Sequence, residues 1–476
     1  MSKQAKKRAI DSEVYYGTVP LGKEDKIYGF WDIFLITGGW AIATWAYVQG
    51  GQIATMIGLE EAVTNTFFGM TLAGLFLCLC VLITTRYGID IWMYQKALFG
   101  YFGLVIFAVI ILASQLGYDV INAEVYASSI MKVFAEFGIT IPEYLTPYIA
   151  TTCVIFGAWI ALRGPIAVRT ATRIMVPCLM ALGVFIIITV FRNFSLQELL
   201  NVEPLYEAEY GSGLANYMVV LEWNIAFIFA WFASIGVLSR LVKTERSAYW
   251  GHVGGFSIVM ASFTVIGVLT ALAMLLATGV ESVDPTDWLL ELGGPVLGLL
   301  AILFVAVANV TTVAVSLYGI SISTKVLKPE LSFSKVVIFW SAWVVLLLFW
   351  GGIWEYYSVF LALVGATSGS VVALIVVDFF IVRRQKISMK DLYRIGGRNA
   401  YRYTGGFNLV AILSFIAGVI GYLWVYEPIE AVPRNDIFLY TTATGFSMII
   451  SGLTYLLLSM IKPLNDYLRK DKKRGK

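Results

Sequence analysis

Phe30-Trp31-Asp32-Ile33-Phe34-Leu35-Ile36-Thr37-Gly38-Gly39-Trp40-Ala41-Ile42-Ala43-Thr44-Trp45 begins the first apolar stretch of the chain, which runs to about Met56 and carries a second double glycine, Gly50-Gly51. A stretch this long and apolar crosses a bilayer as a helix. Glycine weakens a helix interior by about 1 kcal/mol relative to alanine. A backbone carbonyl freed in lipid costs several kcal/mol unless something binds it. Membrane helices that break usually line a cavity, where opened carbonyls hold an ion or a substrate. The break is therefore expected at Thr37-Gly38-Gly39, and with it a binding site.

The rest of the chain has the same character. It has 476 residues, 59% hydrophobic and 14% charged, with a mean hydropathy of +0.79. Soluble domains have about half apolar and a quarter charged residues. Apolar stretches recur near 30–56, 62–85, 101–131, 145–162, 166–191, 214–239, 251–279, 293–323, 333–354, 356–382, 406–425 and 437–461. The expectation is an all-α integral membrane protein of about twelve helices. Residues 1–29 form a cytoplasmic segment, 30–461 the membrane domain and 462–476 a basic tail. The start, Met1-Ser2-Lys3-Gln4-Ala5-Lys6-Lys7-Arg8, has no apolar core or cleavage site of a signal peptide. Cys78, Cys80, Cys153 and Cys178 all fall in apolar spans and give no disulfide framework or metal site.

Charge sets the orientation. All but Lys132, Arg192 and Arg434 of the 34 Lys and Arg residues fall in the two ends and alternate loops. The other loops are acidic, with Glu198, Glu203, Glu207 and Glu209 in one and Glu281, Asp284, Asp287 and Glu291 in another. Cytoplasmic loops collect basic residues. Both termini are thus expected inside, with an even number of spans in a cell membrane. The longest cytoplasmic loop, Arg383 to Tyr403, carries Ser388-Met389-Lys390-Asp391-Leu392, a candidate amphipathic turn at the membrane surface. Arg469 to Lys476 reads as a solvated anchor.

The sixth span, with Phe229-Ala230-Trp231-Phe232-Ala233-Ser234-Ile235-Gly236, also places small residues and a tryptophan mid-membrane. An offset of five spans reverses direction, so spans 1–5 (about 30–191) and 6–10 (about 214–382) form an inverted pair. The last two, about 406–461, are additional. Many secondary transporters are built this way, with the site between two broken helices.

Side chains able to bind sit on these helices. In the eighth span, Ala308-Asn309-Val310-Thr311-Thr312 offers two adjacent hydroxyls. Sodium takes oxygen ligands, and these hydroxyls with the carbonyls of an opened first helix would form a cage. Alternatively each threonine bonds a carbonyl of its own helix. Asp119 lies mid-span in Gln115-Leu116-Gly117-Tyr118-Asp119, with Asn122 and Tyr126 on its face and Glu124 off it. A carboxylate at that depth marks a functional site by default, as a substrate ligand, a proton carrier or a buried partner. Glu222 is a further intramembrane acid, whereas Asp32 and Asp378, near cytoplasmic span ends, are read as capping or hydrogen-bonding there. Trp40, Trp45 and Trp231 lie mid-span in the two candidate broken helices, where a planar heterocycle can stack. His252 is the only histidine. There is no metal cluster, Ser-His-Asp set, phosphate loop or nucleic-acid signature, so the chain is not read as an enzyme or nucleic-acid binder.

These residues resemble the nucleobase:cation symporter-1 family, with its purine, cytosine, hydantoin and allantoin permeases. The most specific match is Asp378-Phe379-Phe380-Ile381-Val382-Arg383-Arg384, then Ile387-Ser388-Met389-Lys390-Asp391-Leu392-Tyr393 and Tyr401 through Asn408. Val19-Pro20-Leu21-Gly22, Gly50-Gly51-Gln52, Arg86-Tyr87-Gly88 and Thr311-Thr312 add to it. The resemblance implies a LeuT-like fold of two inverted five-helix repeats plus two helices, alternating access, and Na⁺ held by the carbonyls of Gly39, Ile42 and Ala308 with the hydroxyls of Thr311 and Thr312. It implies a substrate stacked on Trp231, with contributions from Ala43, Trp40, Gln115, Asp119, Asn122, and Ser316 or Leu317.

The chain departs from the family where substrate specificity is set. Gln115 stands where relatives often have tryptophan, and Ala43, Asp119 and Leu317 (or Ser316) where the hydantoin transporter has amides. Gly369-Ser370 replaces a Gly-Pro. The expected activity is Na⁺-driven import of a nucleobase or related nitrogen heterocycle. The alternatives are a proton-coupled symporter of a cationic or amine-bearing heterocycle of the vitamin-precursor type, working through Asp119, and a non-transporting receptor or channel. The sequence sets no oligomeric state.

Overall fold

Every stretch expected to span the membrane is helical in the structure, a computed structural model that describes residues 19–42, 44–205, 212–353, 356–393 and 400–468. The first span is two helices, α1 (Phe30–Ala41) and α2 (Thr44–Met56). After it come α3 (Leu59–Tyr87), a short α4 (Ile91–Phe99), α5 (Tyr101–Glu136), α6 (Glu143–Leu162) and α7 (Pro165–Asn193). The second half contains α8 (Gly213–Ser239), α9 (Glu245–Thr278), α10 (Pro285–Leu327), α11 (Phe333–Trp350) and α12 (Val359–Val382). The additional pair is α13 (Leu409–Val425) and α14 (Ala443–Met460). Ten helices among the described residues are long and apolar enough to cross a membrane. The broken first span and the 17-residue α13 complete the expected set.

The two halves correspond element by element. α8 narrows to a 3-10 turn over Ala230–Ser234, matching the break between α1 and α2. A short helix follows both the second and the seventh span. The first is α4, capped by Asp90, whose side chain accepts from the Trp92 amide, and ended by Gly100 at φ 83°. The second is the start of α10, where Asp284 accepts from the Thr286 amide and Gly294 turns the chain at φ 73°. A positive φ is strained for any residue with a Cβ, so glycine stands at both exits.

Tight crossings require small residues. A Cβ on Gly50 would lie 2.2 Å from the Thr264 carbonyl, and one on Gly267 2.5 Å from the Tyr47 carbonyl. α2 and α9 therefore cross almost backbone to backbone. A buried polar seam fastens the same region. Gln49 donates to Asn224 (3.4 Å), Asn224 to Asn65 (3.0 Å), and Asn65 to the Tyr217 carbonyl (2.8 Å), tying α2, α3 and α8. Ser388-Met389-Lys390-Asp391-Leu392 does contribute to a helical turn, Met389–Tyr393. It packs inward, however: Leu392 is buried and its carbonyl accepts from the Lys96 ammonium at 2.5 Å. Arg469 to Lys476, Met1 to Arg8 and Ala43 lie outside the described residues.

Candidate functional site

The break in the first span is displaced from the glycines. The helix runs unbroken through Gly38 and Gly39 and ends at Ala41. Ile42 leaves helical geometry at φ −80°, ψ 81°, with its N–H bonded to the Gly38 carbonyl. Satisfying that carbonyl costs the glycines little, and their small size serves packing instead. A Cβ on Gly38 would meet Val259 of α9 at 3.2 Å, and one on Gly39 would meet Val176 of α7 at 3.1 Å. The opening at Ile42 leaves the C-terminal, electronegative end of a half-helix inside the protein.

α10 faces this opening with a polar stripe. Asn309, Thr312 and Ser316 follow an i, i+3, i+7 spacing and share one helix face. Thr44, the first residue of α2, donates to Asn309 Oδ1 at 2.8 Å, and both are buried. Ser316 donates to Asp119 Oδ2 at 2.9 Å. Between them the Thr312 hydroxyl lies 3.1 Å from the Ala308 carbonyl, and the Thr311 hydroxyl 3.2 Å from that of Val307. Both threonines thus bond back to their own helix. The paired oxygens of Ala308 and Thr312 are neutral donors, with no thiolate or imidazole between them, the type of ligand a hard cation takes. Leu317 is fully buried, and Trp40 is half-buried against the core.

Asp119 is completely buried on α5, and its Oδ1 has no hydrogen-bond partner among the described residues. Asn122, one turn on, donates to the Tyr118 carbonyl of its own helix at 2.7 Å and leaves its Oδ1 unused there. Gln115 sits differently from a free substrate ligand. Its amide donates 3.1 Å to the Ala230 carbonyl, where α8 narrows, and so braces the second break. The following residue is Trp231. Its ring stacks on Phe256 (4.6 Å between centroids, 15° between planes) and meets Trp45 edge-on at 6.0 Å. Trp45 meets Tyr118 at 5.2 Å, and Tyr118 meets Phe360 at 4.7 Å. Aromatic rings from α2, α5, α8, α9 and α12 thus converge on the α8 break. Phe256 and Asn309 were not singled out from the sequence. Asn309 was detectable as a polar residue three positions before Thr312; Phe256 had no signal beyond its neighbouring glycines.

Glu124 keeps a buried Oε2 with no hydrogen-bond partner among the described residues, whereas the other acids named below make structural bonds. Asp32 accepts from the Gly29 amide at 2.8 Å and caps α1. Asp378 accepts from Tyr455 (2.7 Å), Tyr94 (2.8 Å) and the Arg383 guanidinium (2.7 Å), all buried together. Glu222 accepts from the Thr444 amide (2.8 Å), the Thr444 hydroxyl (2.6 Å) and Tyr422 (3.0 Å), fixing α8 to the N-terminus of α14. His252 bonds the Ala248 carbonyl at 2.7 Å. Outside the spans, Asp284 bonds Ser128 (2.5 Å) and pairs with Lys132 (2.9 Å). Burial alone would raise its carboxyl, but Lys132 and the hydroxyls of Ser128 and Thr286 together hold it below the ordinary carboxylate value.

Comparison with known proteins gives a consistent result. A family model described as "Permease for cytosine/purines, uracil, thiamine, allantoin" matches residues 20–438. The purine-uracil permease NCS1 of Arabidopsis thaliana is 26% identical over 251 residues, 50% of this chain and 41% of that protein. The allantoin permease of Bacillus subtilis (strain 168) is 24% identical over 47% of this chain and 45% of that protein. The matched part thus spans less than half the length of these relatives. Among solved structures, the inward-facing conformation of Mhp1 superposes with a TM-score of 0.78 at 18% identity, covering 95% of this chain and 94% of that one. A closed conformation of Mhp1 with bromovinylhydantoin bound gives 0.74 at 17%, covering 95% and 99%. A Na⁺-coupled sialic acid symporter gives 0.54 at 14%, covering 95% and 97%. These likenesses establish the LeuT-like fold.

Proposed function

The chain belongs to the nucleobase:cation symporter-1 family, the permeases for cytosine/purines, uracil, thiamine and allantoin, and on that premise we propose that it imports a nucleobase or related nitrogen heterocycle by Na⁺-coupled alternating access. It performs no covalent chemistry. Its place is the cell membrane, with both termini cytoplasmic, as the basic loops imply. The observation that supports this reading best is the stripe Asn309-Thr312-Ser316 on α10, which touches the break after α1 at one end and Asp119 at the other.

In this proposal Na⁺ is held by the carbonyls of Gly39, Ile42 and Ala308 and the hydroxyls of Thr311 and Thr312. The heterocycle stacks on Trp231, displacing Phe256 from its face. Asp119 accepts the substrate's N–H donors through the oxygen that no described residue uses. Ser316 holds the other oxygen in place. Trp40, Gln115, Asn122 and Leu317 shape the remaining walls. Coupling follows if the cation and the substrate each favour one conformation over the other. Here the Thr44–Asn309 bond makes the opening in the first span and α10 move together.

The test is thermal unfolding of detergent-purified protein over a Na⁺ titration, against choline. A ligand that binds only the folded state raises stability with concentration. Wild type is expected to gain from Na⁺ and Thr312→Ala to lose most of that gain while its melting temperature in choline stays close to wild type. An unchanged sodium response in Thr312→Ala refutes the site. A second reading, proton coupling through Asp119, is favoured by its unpaired buried oxygen; pH-driven accumulation that survives Asp119→Asn excludes it.

A further inference from the structure

Away from the Asp119 and Trp231 region, the structure contains a cleft of about 340 Å³ between α3, α8, α12 and α14. Its interior is formed by small and apolar groups, among them Ala73, Phe229 and Ala373. Among the described lining residues the one polar side chain is Thr441, whose hydroxyl is already bonded to the Ile437 carbonyl at 2.9 Å. Water needs about two to four polar partners to occupy a cavity, and this one has none to offer. Its mouth lies between Phe76 of α3 and Ile449 of α14, which are 46% and 47% exposed. Both stand on helices long and apolar enough to cross a membrane, so the mouth opens onto hydrocarbon.

We propose that the acyl chain of a bilayer phospholipid occupies this cleft as an integral part of the folded transporter. The size suits it: a cavity of about 150 Å³ takes one benzene, and this cleft has roughly twice that volume, room for about a dozen chain carbons. The position gives the chain a role. α8 packs on both α3 and α12, and α12 packs on α14, so the cleft lies where the four helices meet. Phe229 immediately precedes the 3-10 turn of Ala230–Ser234 that carries Trp231. The lipid chain therefore supports the α8 break from behind, and any movement of α8 against α12 must reshape or expel it.

The test is photochemical cross-linking of the full chain in nanodiscs of phosphatidylcholine doped with a phosphatidylcholine bearing a mid-chain diazirine. Adducts are mapped by peptide mass spectrometry. Wild type is expected to carry more adducts on Val376, Val377 and Met448, which line the cleft and are half-buried, than on Leu346 and Ile420, which are simply exposed. Gly445→Leu narrows the cleft. A Cβ at Gly445 meets only the Thr442 hydroxyl, at 3.3 Å, so the fold is expected to accept it. The cleft adducts should fall and those on Leu346 and Ile420 be retained. Wild-type cleft labelling no denser than at Leu346 and Ile420 overturns the proposal, as does undiminished cleft labelling in Gly445→Leu. The wild-type map decides by itself if the variant does not fold.

Discussion

Asp119→Asn separates the charge of the buried carboxyl from its shape. The carboxylate has one recorded partner, the Ser316 hydroxyl at 2.9 Å, and one oxygen without a partner among the described residues. In the variant the amide nitrogen takes the place of Oδ2 and donates to the Ser316 oxygen, while the free oxygen remains an acceptor. Only the charge is lost. A hydrogen bond to a charged group contributes about 1.5–3 kcal/mol and a neutral one about 0.5–1.5 kcal/mol. A neutral heterocycle donating one N–H to Asp119 should therefore bind about 5- to 30-fold more weakly, a loss of about 1–2 kcal/mol. A protonated amine about 4 Å away loses about 4 kcal/mol at an effective dielectric of about 20, close to a thousandfold. The size of the effect thus reports whether the substrate is neutral or cationic. A thermal-shift panel of purines, pyrimidines, hydantoins and vitamin precursors selects the ligand, and its affinity is then measured by calorimetry on both proteins. Stability should be retained or improved, because Asn keeps the Ser316 bond without a carboxylate for burial to penalise. Affinity within about twofold of wild type for every stabilising ligand refutes a substrate role for Asp119.

Two further perturbations address the scaffold. Glu222→Leu strips the acceptor from the Thr444 amide, the Thr444 hydroxyl and Tyr422; each orphaned donor costs about 1–3 kcal/mol, so denaturant unfolding should show a loss of several kcal/mol, with Glu222→Gln much milder, and equal stability of Glu222→Leu and wild type contradicts the anchor. Lys132→Met removes one of the groups that together outweigh the burial of Asp284. In wild type the depressed carboxyl contributes stability above the unfolded value of about 3.9, and this is lost as pH falls through the folded value. In the variant burial dominates and the carboxyl rises, so the difference in melting temperature should be widest near neutral pH and shrink towards pH 4. A gap independent of pH over that range contradicts the pairing.

The membrane fold was legible because lipid enforces simple rules. Every apolar stretch had to become a helix, and the basic loops recorded their alternation. The break in the first span was legible in kind but placed a few residues early. Gly38 and Gly39 are there for contact with Val259 and Val176, and glycine in a sequence does not distinguish a packing surface from an opening. Gln115 was legible as polar and mid-membrane, but its bond to the Ala230 carbonyl depends on how α5 crosses α8. Phe256 on Trp231 is likewise a product of tertiary packing. The hydroxyls of Thr311 and Thr312 donate to carbonyls of their own helix, which leaves their oxygen lone pairs free to accept a cation. Asp32 makes the local capping bond expected of an acid at a span end, whereas Asp378 also accepts from the distant Tyr94 and Tyr455.

The most direct test of the account is uptake of the ligand selected above into proteoliposomes holding the purified full chain, with external Na⁺ and with Na⁺ replaced by choline or K⁺ at constant pH. An inward Na⁺ gradient is expected to drive accumulation above equilibrium, and replacement is expected to abolish it. Accumulation undiminished in choline contradicts sodium coupling. Equilibration without accumulation under every gradient contradicts secondary active transport itself.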